Sequence, residues 1–208
     1  MQRLKALFLV MVTSLFMVGY GHNAQSAVVN DDDMVMGSPK AKITVVEYAS
    51  ASCSHCAAFA IEVFPAFKAK YIDTGQVKYV FREVLTEPVQ LAAAGFILAR
   101  CTGKQNYFKT LDGVFHAQQE VYETQNLRTP LMKVAKLAGL TETQFMACLT
   151  DKAALDSLNA RVERIAKAGD FDSTPTFFIN GQKLMGNHSL ANLDTAIAAA
   201  KNRAKTNK

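Results

Sequence analysis

The chain has few cysteines and histidines, and they do not form the clusters typical of metal sites. Its 208 residues contain four of each. A structural zinc site needs four ligands, usually from two Cys-x-x-Cys or His-x-x-His clusters, and the sequence has one such cluster, beginning at Cys53. The remaining histidines are scattered, at His22, His116 and His188. We therefore expect no metal site and no cofactor.

Long apolar runs, internal repeats and low-complexity segments are also missing. The uncharged apolar run at residues 6–20 is shorter than the roughly 20 residues that a membrane-spanning helix needs. The formal net charge is only +5, and the lysines are spread out without the interleaved aromatic residues of a nucleic-acid surface. The sequence therefore disfavours a nucleic-acid-binding protein.

The first 27 residues have the organisation of a cleavable signal peptide. Arg3 and Lys5 give a basic start, the apolar run follows, and Ser26 and Ala27 provide small residues for signal-peptidase cleavage. An uncleaved membrane anchor is the alternative. We predict that residues 1–27 are removed on export to the periplasm, an oxidising compartment in which four cysteines can all be paired.

Residues 53–56, which read Cys-Ser-His-Cys, are the most informative part of the sequence. The run at 43–48 before them is rich in β-branched and aromatic residues and predicts a strand. Apolar residues at helical spacing follow from 59 to 71. Two thiols three positions apart at a strand-to-helix junction indicate a disulfide that is easily reopened, whereas an inert disulfide or half of a zinc site are the alternatives.

The position of these residues predicts different roles for the two sulfurs. The free N–H groups and positive dipole end of a helix N-terminus stabilise a thiolate, so we expect the pKa of Cys53 to lie several units below the usual value of about 8.5. His55, when protonated, adds a positive charge between the sulfurs, and Ser54 completes the motif. Cys53 is then the attacking sulfur, and Cys56 is the resolving one.

The rest of the chain predicts one domain that carries an insertion. Three consecutive aspartates and Gly-Ser-Pro indicate an exposed leader over 28–40. Asn180-Gly181 between two short apolar runs predicts a hairpin. The other predicted elements are a helix kink near Pro65, a second strand at 77–84, helices throughout 88–169, strands at 176–179 and 182–185, a last helix at 190–200 and a flexible tail at 204–208.

This order of elements, together with its motifs, resembles the DsbA family of exported thiol oxidoreductases. The resemblance rests on residues 47–50 (Glu-Tyr-Ala-Ser), on the 53–56 motif and on residues 173–176 (Ser-Thr-Pro-Thr). It implies an α/β, thioredoxin-like fold interrupted by an inserted all-helical subdomain. The thioredoxin-like domain would comprise 41–87 and 170–203, and the helical insertion 88–169.

The resemblance also implies roles for three residues outside the motif. Pro175 would be the cis-proline beside the active-site sulfurs, presenting the backbone of Thr174 to an extended substrate strand; an ordinary trans proline is the alternative. Glu47 would be a buried acid that relays the proton of Cys56; a solvent-facing strand residue is the alternative, because alternation alone does not settle which face of the strand it lies on.

Cys101 and Cys148 both fall within the predicted helical insertion. A bond between them would staple that subdomain and contribute about 4 kcal/mol in the chain-entropy model. Some proteins of the DsbA family carry such a second disulfide and others do not, so two free buried thiols are the alternative. A further hypothesis is that this bond tunes the Cys53–Cys56 pair.

The function that these expectations predict is a disulfide oxidase. A substrate thiolate attacks Cys53 of the oxidised pair, and a second substrate thiolate displaces it, since a stabilised thiolate is a good leaving group. The resemblance implies reduced exported proteins as substrates, a DsbB-like quinone-linked membrane protein as the reoxidant, and a monomer. The alternatives are a disulfide isomerase or reductase, a copper-handling thiol pair, and a peptide-binding chaperone or adaptor with a non-catalytic disulfide.

Overall fold

The structure of the chain, a computed structural model, describes residues 28–169 and 171–206. The predicted signal peptide, at residues 1–27, lies outside the described residues. Among the helices that are described, none is both long enough and apolar enough to cross a membrane.

A five-stranded sheet forms the centre of the described chain. Its strands are β1 (Met34–Gly37), β2 (Ile43–Ala49), β3 (Val77–Glu83), β4 (Thr176–Ile179) and β5 (Gln182–Lys183). They lie in the order β1-β3-β2-β4-β5, with β2 and β3 parallel and the other neighbours antiparallel. Almost all residues of β2 are buried, which explains why its apolar residues form a nearly continuous run.

Helices cover the sheet and form the predicted insertion. They are α1 (Ser54–Ala58), α2 (Phe64–Phe67), α3 (Val89–Cys101), α4 (Tyr107–Thr124), α5 (Arg128–Leu137), α6 (Glu142–Thr150), α7 (Lys152–Ala168) and α8 (Leu190–Thr206). The five helices α3 to α7 follow one another between β3 and β4 with no strand among them. The chain is therefore an α/β fold with an all-helical insertion, as the sequence predicts.

The helix after the cysteine motif is irregular near the predicted kink. A π-helical turn at Phe59–Val63 joins α1 to α2, and a second one at Lys68–Ile72 extends the same helical run beyond α2. Pro65 lies in the first turn of α2, where its missing N–H is tolerated, and the π turn before it accommodates the interruption of the hydrogen-bond ladder.

The structure differs from the sequence expectation at both ends of the described chain. The predicted exposed leader, 28–40, contains β1, which pairs with β3 so that Met34 lies opposite Phe81. Residues 34–37 of the predicted leader are thus part of the sheet. Met34 is buried, and the preceding Asp33 forms an ion pair with the buried Arg82, with 3.1 Å between Asp33 Oδ2 and Arg82 Nη2. The predicted tail, 204–208, begins as helix, since α8 continues to Thr206. The second strand of the hairpin is also shorter than predicted and ends at Lys183.

A buried polar cluster fastens the helical insertion to the sheet. Glu83, at the end of β3, is 1% exposed and accepts hydrogen bonds from Arg100 at 2.6 Å, Arg161 at 2.8 Å and the Tyr107 hydroxyl at 3.0 Å. These donors come from α3, α7 and α4. A buried carboxylate needs such partners, and here three helices of the insertion supply them.

Candidate active site

The Cys-Ser-His-Cys segment lies where β2 leaves the sheet and α1 begins. Cys53 is the N-cap residue of α1, with extended backbone angles of φ −82° and ψ 121°, and its Sγ accepts a hydrogen bond from the Cys56 N–H at 3.4 Å. The Cys53 N–H closes the preceding turn by donating to the Ser50 carbonyl at 3.1 Å. A sulfur at this position faces the unpaired N–H groups that begin the helix.

The Cys53 thiol is acidic in this environment. Its pKa is lowered from 9.0 to about 5, mainly by the hydrogen bond from the Cys56 thiol. Partial burial opposes this shift, whereas hydrogen bonds from the Thr174 side chain and from the backbone N–H groups of Cys56 and His55 add to it. The sulfur is only half-buried, so a thiolate at this position is accessible to a reaction partner.

The Cys56 thiol has the opposite character. It is fully buried, and burial raises its pKa, with the hydrogen bond to Cys53 and the negative charges of Cys53 and Glu47 acting in the same direction. The Ser50 N–H donates to its Sγ at 3.5 Å. Both thiols are free in this structure. The motif therefore combines a half-buried, accessible sulfur that ionises readily with a buried sulfur that keeps its proton.

Ser54 and His55 both lie on the solvent side of α1, where each is exposed. His188, to which the sequence assigns no role, lies within electrostatic range of His55. Burial lowers the pKa of His188, and the positive charge of His55 lowers it further. The His188 ring packs on Phe177 of β4 with 5.1 Å between ring centroids. Spacing in the sequence gives no signal for this proximity, because more than 130 residues separate the two histidines.

Thr174 lies directly beside the Cys53 sulfur, and Pro175 follows it in the chain. The Thr174–Pro175 peptide bond is cis, which is the geometry that the resemblance implies. The Cys53 thiol donates to the Thr174 carbonyl at 3.3 Å. The backbone just before β4 therefore meets the cysteine motif across 121 residues of sequence.

Glu47 is buried within electrostatic range of both sulfurs. It is 2% exposed, and burial raises its pKa from 4.5 to about 8, against the lowering effect of a hydrogen bond from the Tyr79 hydroxyl. The charge of Cys53 also raises it. Glu47 and Tyr79 line a cavity of about 400 Å³ whose other walls are mostly apolar. The carboxyl group is thus mostly protonated at pH 7 and lies close enough to Cys56 to affect its ionisation.

Two residues of α4 that the sequence analysis does not single out hold the turn before the helix. The Gln118 side-chain amide donates to the carbonyls of Ala51 at 2.8 Å and Cys53 at 3.3 Å. The Tyr122 hydroxyl donates to the carbonyl of Ser52 between them. Gln118 is buried, whereas Tyr122 is exposed, and the signal in the sequence is their spacing of four residues, which places both on the same face of α4.

Cys101 and Cys148 are joined by a disulfide, with 6.0 Å between their Cα atoms and a sequence separation of 47. The bond connects the last residue of α3 to α6. It lies within the helical insertion and not in the cysteine motif.

The chemistry available at this site is thiol–disulfide exchange. Cys53 supplies a nucleophilic thiolate and a good leaving group, Cys56 a second sulfur within bonding reach, and Glu47 a neutral acid that can exchange a proton. Within residues 28–169 and 171–206, no group of three or more histidine, cysteine, aspartate or glutamate side chains is arranged to hold a metal ion.

Comparisons with known proteins agree with this chemistry. A family model described as "Thioredoxin" matches residues 29–199. A Rickettsia conorii protein named "Putative protein-disulfide oxidoreductase" is 39% identical over 173 residues, which are 83% of this chain and 61% of that protein. A protein of the same name from Rickettsia bellii is 38% identical over 180 residues, 84% of this chain and 68% of that protein. This chain therefore spans about three fifths to two thirds of the length of these curated relatives.

A similar fold is known from a solved structure. The crystal structure of Wolbachia pipientis alpha-DsbA1 superposes with a TM-score of 0.78 and 29% sequence identity, covering 88% of this chain and 98% of that chain. The match extends over both the sheet and the helical insertion, since so little of either chain is left out.

Proposed function

This chain belongs to the thioredoxin-like DsbA family, and we propose that it is an exported thiol:disulfide oxidoreductase that donates the Cys53–Cys56 disulfide to folding proteins. The substrates are reduced exported proteins. The protein acts as a monomer without a cofactor, in the periplasm, after removal of residues 1–27.

The reaction is an exchange in two steps. A substrate thiolate attacks Sγ of Cys53, the Cys53–Cys56 bond breaks, and Cys56 leaves and takes up a proton. A second thiolate of the substrate then attacks the mixed disulfide and displaces Cys53 as a thiolate. Two electrons pass from the substrate to the protein, so that the substrate gains a disulfide and the protein ends with one thiolate and one thiol.

The observation that carries this proposal is the unequal acidity of the two sulfurs. The pKa of Cys53 is lowered to about 5 and that of Cys56 is raised. A stabilised Cys53 thiolate favours the reduced protein over the disulfide, and a pair whose reduced form is stabilised oxidises other thiols. The buried Cys56 is protected from the substrate, so attack is directed to Cys53.

Two neighbouring groups support the exchange. Glu47 is the group we propose to exchange a proton with Cys56, because it is buried, neutral at pH 7 and electrostatically coupled to that thiol. The Thr174 carbonyl, which the Cys53 thiol reaches in the free protein, is the group we propose to receive a substrate N–H. Backbone pairing of this kind binds many extended sequences with little dependence on their side chains.

Equilibration with glutathione tests the proposal. The reduction potential of the Cys53–Cys56 pair should be more positive than about −180 mV, because the stabilised thiolate favours the reduced form. The measurement is the fraction of reduced pair, read by thiol alkylation and mass spectrometry across ratios of reduced to oxidised glutathione. A variant in which both motif cysteines are replaced by alanine reports the contribution of Cys101–Cys148 alone.

The same experiment separates the alternatives. A pair that stays oxidised in millimolar reduced glutathione would contradict the proposal and favour an adaptor with a structural disulfide. A stable dimer or trimer in light scattering, together with repair of a scrambled disulfide substrate, would favour an isomerase.

Turnover also requires a reoxidant. By family membership we propose a DsbB-like, quinone-linked membrane protein. Reoxidation of the reduced protein by membranes of the source organism should depend on added quinone, and reoxidation at the same rate without membranes would contradict this partner.

Replacement of His55 with serine should raise the pKa of Cys53 by about half a unit, because a protonated imidazole near the sulfur favours the thiolate. The effect is modest, since the ring is exposed and its charge is screened by solvent. Titration of the thiolate ultraviolet absorbance measures it. The matched control is His116→Ser, on the exposed side of α4, which should leave the titration unchanged; an unchanged titration in His55→Ser as well would remove His55 from the site.

A further inference from the structure

The turn that leads into the cysteine motif is held from two sides. On one side, the Ser52 hydroxyl bonds to the backbone carbonyl and the hydroxyl of Thr86, both at 2.9 Å, and the Ser50 Oγ accepts from the Thr86 N–H at 3.3 Å. Thr86 follows β3, so these contacts come from the thioredoxin-like part of the chain.

On the other side, the helical insertion binds three successive carbonyl groups. Gln118 uses both hydrogens of its amide nitrogen, one for the Ala51 carbonyl and one for the Cys53 carbonyl. Tyr122, one helical turn further along α4, donates to the Ser52 carbonyl. No carbonyl between residues 51 and 53 is left without a donor from α4.

The contact between insertion and turn is close, and it is polar where an apolar contact would suffice for packing. Gly95 of α3 approaches so near that a Cβ at this position would lie 2.9 Å from the Ala51 Cβ. Gln118 is 3% exposed. A buried amide is costly unless its hydrogen bonds are made, so an apolar side chain would be the simpler choice if packing were its only purpose.

The peptide groups of this turn decide what the Cys53 sulfur faces. In the observed conformation the Cys56 N–H points at the sulfur, and the Cys53 carbonyl is engaged by the Ala57 N–H and by Gln118. Without donors on α4, the peptide groups at 51–53 are freer to rotate. Rotation that brings a carbonyl oxygen towards a thiolate destabilises it, because both carry negative charge.

We propose that Gln118 and Tyr122 are positioning residues through which the helical insertion sets the redox potential of the Cys53–Cys56 pair, by fixing the carbonyl groups of residues 51–53 on the α4 side of the turn. This inference rests on the proposed function and adds a role for the insertion, which otherwise contributes no group to the exchange. The Tyr122 hydroxyl also lies within electrostatic range of the sulfur, since the negative charge of Cys53 raises the pKa of Tyr122 in addition to burial.

The test uses Gln118→Leu and Tyr122→Phe in the full-length protein. Leucine is an apolar side chain of similar size to glutamine and lacks both N–H donors. Phenylalanine differs from tyrosine only in lacking the hydroxyl oxygen. The control is Gln119→Leu, the same change at the adjacent exposed position, where the side chain bonds only to Glu123. The readouts are the thiolate titration of Cys53, the glutathione equilibrium and the unfolding temperature.

The inference predicts a change that a purely structural role would not produce. The preference for the reduced form should fall about tenfold in Gln118→Leu and about threefold in Tyr122→Phe, in line with the modest net worth of single hydrogen bonds. The Cys53 pKa should rise in both variants and stay constant in Gln119→Leu.

The inference would be overturned if the two variants unfolded at lower temperatures while the Cys53 pKa stayed unchanged and the glutathione equilibrium constant stayed within twofold of the parent value. If Gln118→Leu does not fold, Tyr122→Phe decides, since its side chain is partly exposed. The proposed function fails separately: it is lost if the unsubstituted protein has an ordinary Cys53 pKa, whereas the inference is lost if only the variants fail to differ from it.

Discussion

Replacement of Glu47 with glutamine should increase the free energy of unfolding by about 3 kcal/mol at pH 7. The carboxyl group is 2% exposed, and its pKa is raised from 4.5 to about 8, chiefly by burial. Glutamine keeps the shape of the side chain and can accept the Tyr79 hydrogen bond, but it carries no proton to lose. The measurement is denaturant unfolding of the reduced variant and parent protein across pH.

The sign of this effect follows from proton linkage. Between pH 4.5 and about 8 the folded protein keeps the Glu47 proton and the unfolded chain releases it, so stability falls as the pH rises through this range. The gain from glutamine should therefore be near zero below pH 4.5 and reach its full size above pH 8. It should also be smaller in the oxidised protein, in which the Cys53 thiolate that helps to raise this pKa is absent.

The same variant should be slower in catalysis although it is more stable. Attack by Cys56 requires a nearby group that accepts its proton. Glu47 can do this in its ionised form, which is more populated in the mixed disulfide because the Cys53 thiolate that helps to raise its pKa is absent. Loss of such a group costs on the order of a hundredfold in rate. The step to follow is intramolecular attack of Cys56 on a mixed disulfide between Cys53 and glutathione.

The control is Glu62→Gln, at an exposed position on the same helical run, which should change neither property. A stability gain of equal size at pH 4 and pH 8 would contradict the assigned cause. An unchanged rate of Cys56 attack would show that Glu47 takes no part in the proton transfer and only lowers the stability of the fold.

The parts of the site that the sequence predicts are those set by local structure. The strand at 43–49, the helix N-terminus at Cys53 and the unequal roles of the two sulfurs follow from residues adjacent in sequence. Thr174 and Pro175 are predicted through family resemblance, because 121 residues separate the Thr174 carbonyl from the sulfur it meets. The bounds of the helical insertion follow from the change of hydrophobic period at either end.

The contacts that the sequence does not predict depend on tertiary packing. Gln118 and Tyr122 reach the cysteine turn across 65 to 70 residues, and nothing near them in sequence indicates which backbone groups they bind. β1 is not predicted from the sequence, because its flanking aspartates and glycine are typical of exposed loops. In the structure Asp33 is buried with Arg82. An aspartate typical of a solvent-exposed segment is thus buried, because its charge is neutralised by an arginine 49 residues away in sequence.

Replacement of both Cys101 and Cys148 with alanine should lower the free energy of unfolding by about 4 kcal/mol, since the disulfide closes a loop of 47 residues in the unfolded chain. For a chain of this size the unfolding temperature should fall by about 8 to 16 °C. Neither replaced side chain leaves a large cavity, because Cys101 is exposed and Cys148 is small. The measurement is thermal and denaturant unfolding with the Cys53–Cys56 pair held in one redox state.

The glutathione equilibrium of the same double variant decides whether this disulfide also tunes the active site. We expect it to change by less than twofold, because Gln118 and Tyr122, the insertion residues bonded to the cysteine turn, lie on α4, whereas the disulfide joins α3 to α6. Cys148→Ala alone is the internal control. It breaks the same disulfide, so its free energy of unfolding should fall by nearly as much as that of the double variant. Unfolding at the parent temperature would contradict the structural role. A clear shift of the equilibrium would instead implicate α3, whose Gly95 packs against Ala51 of the turn.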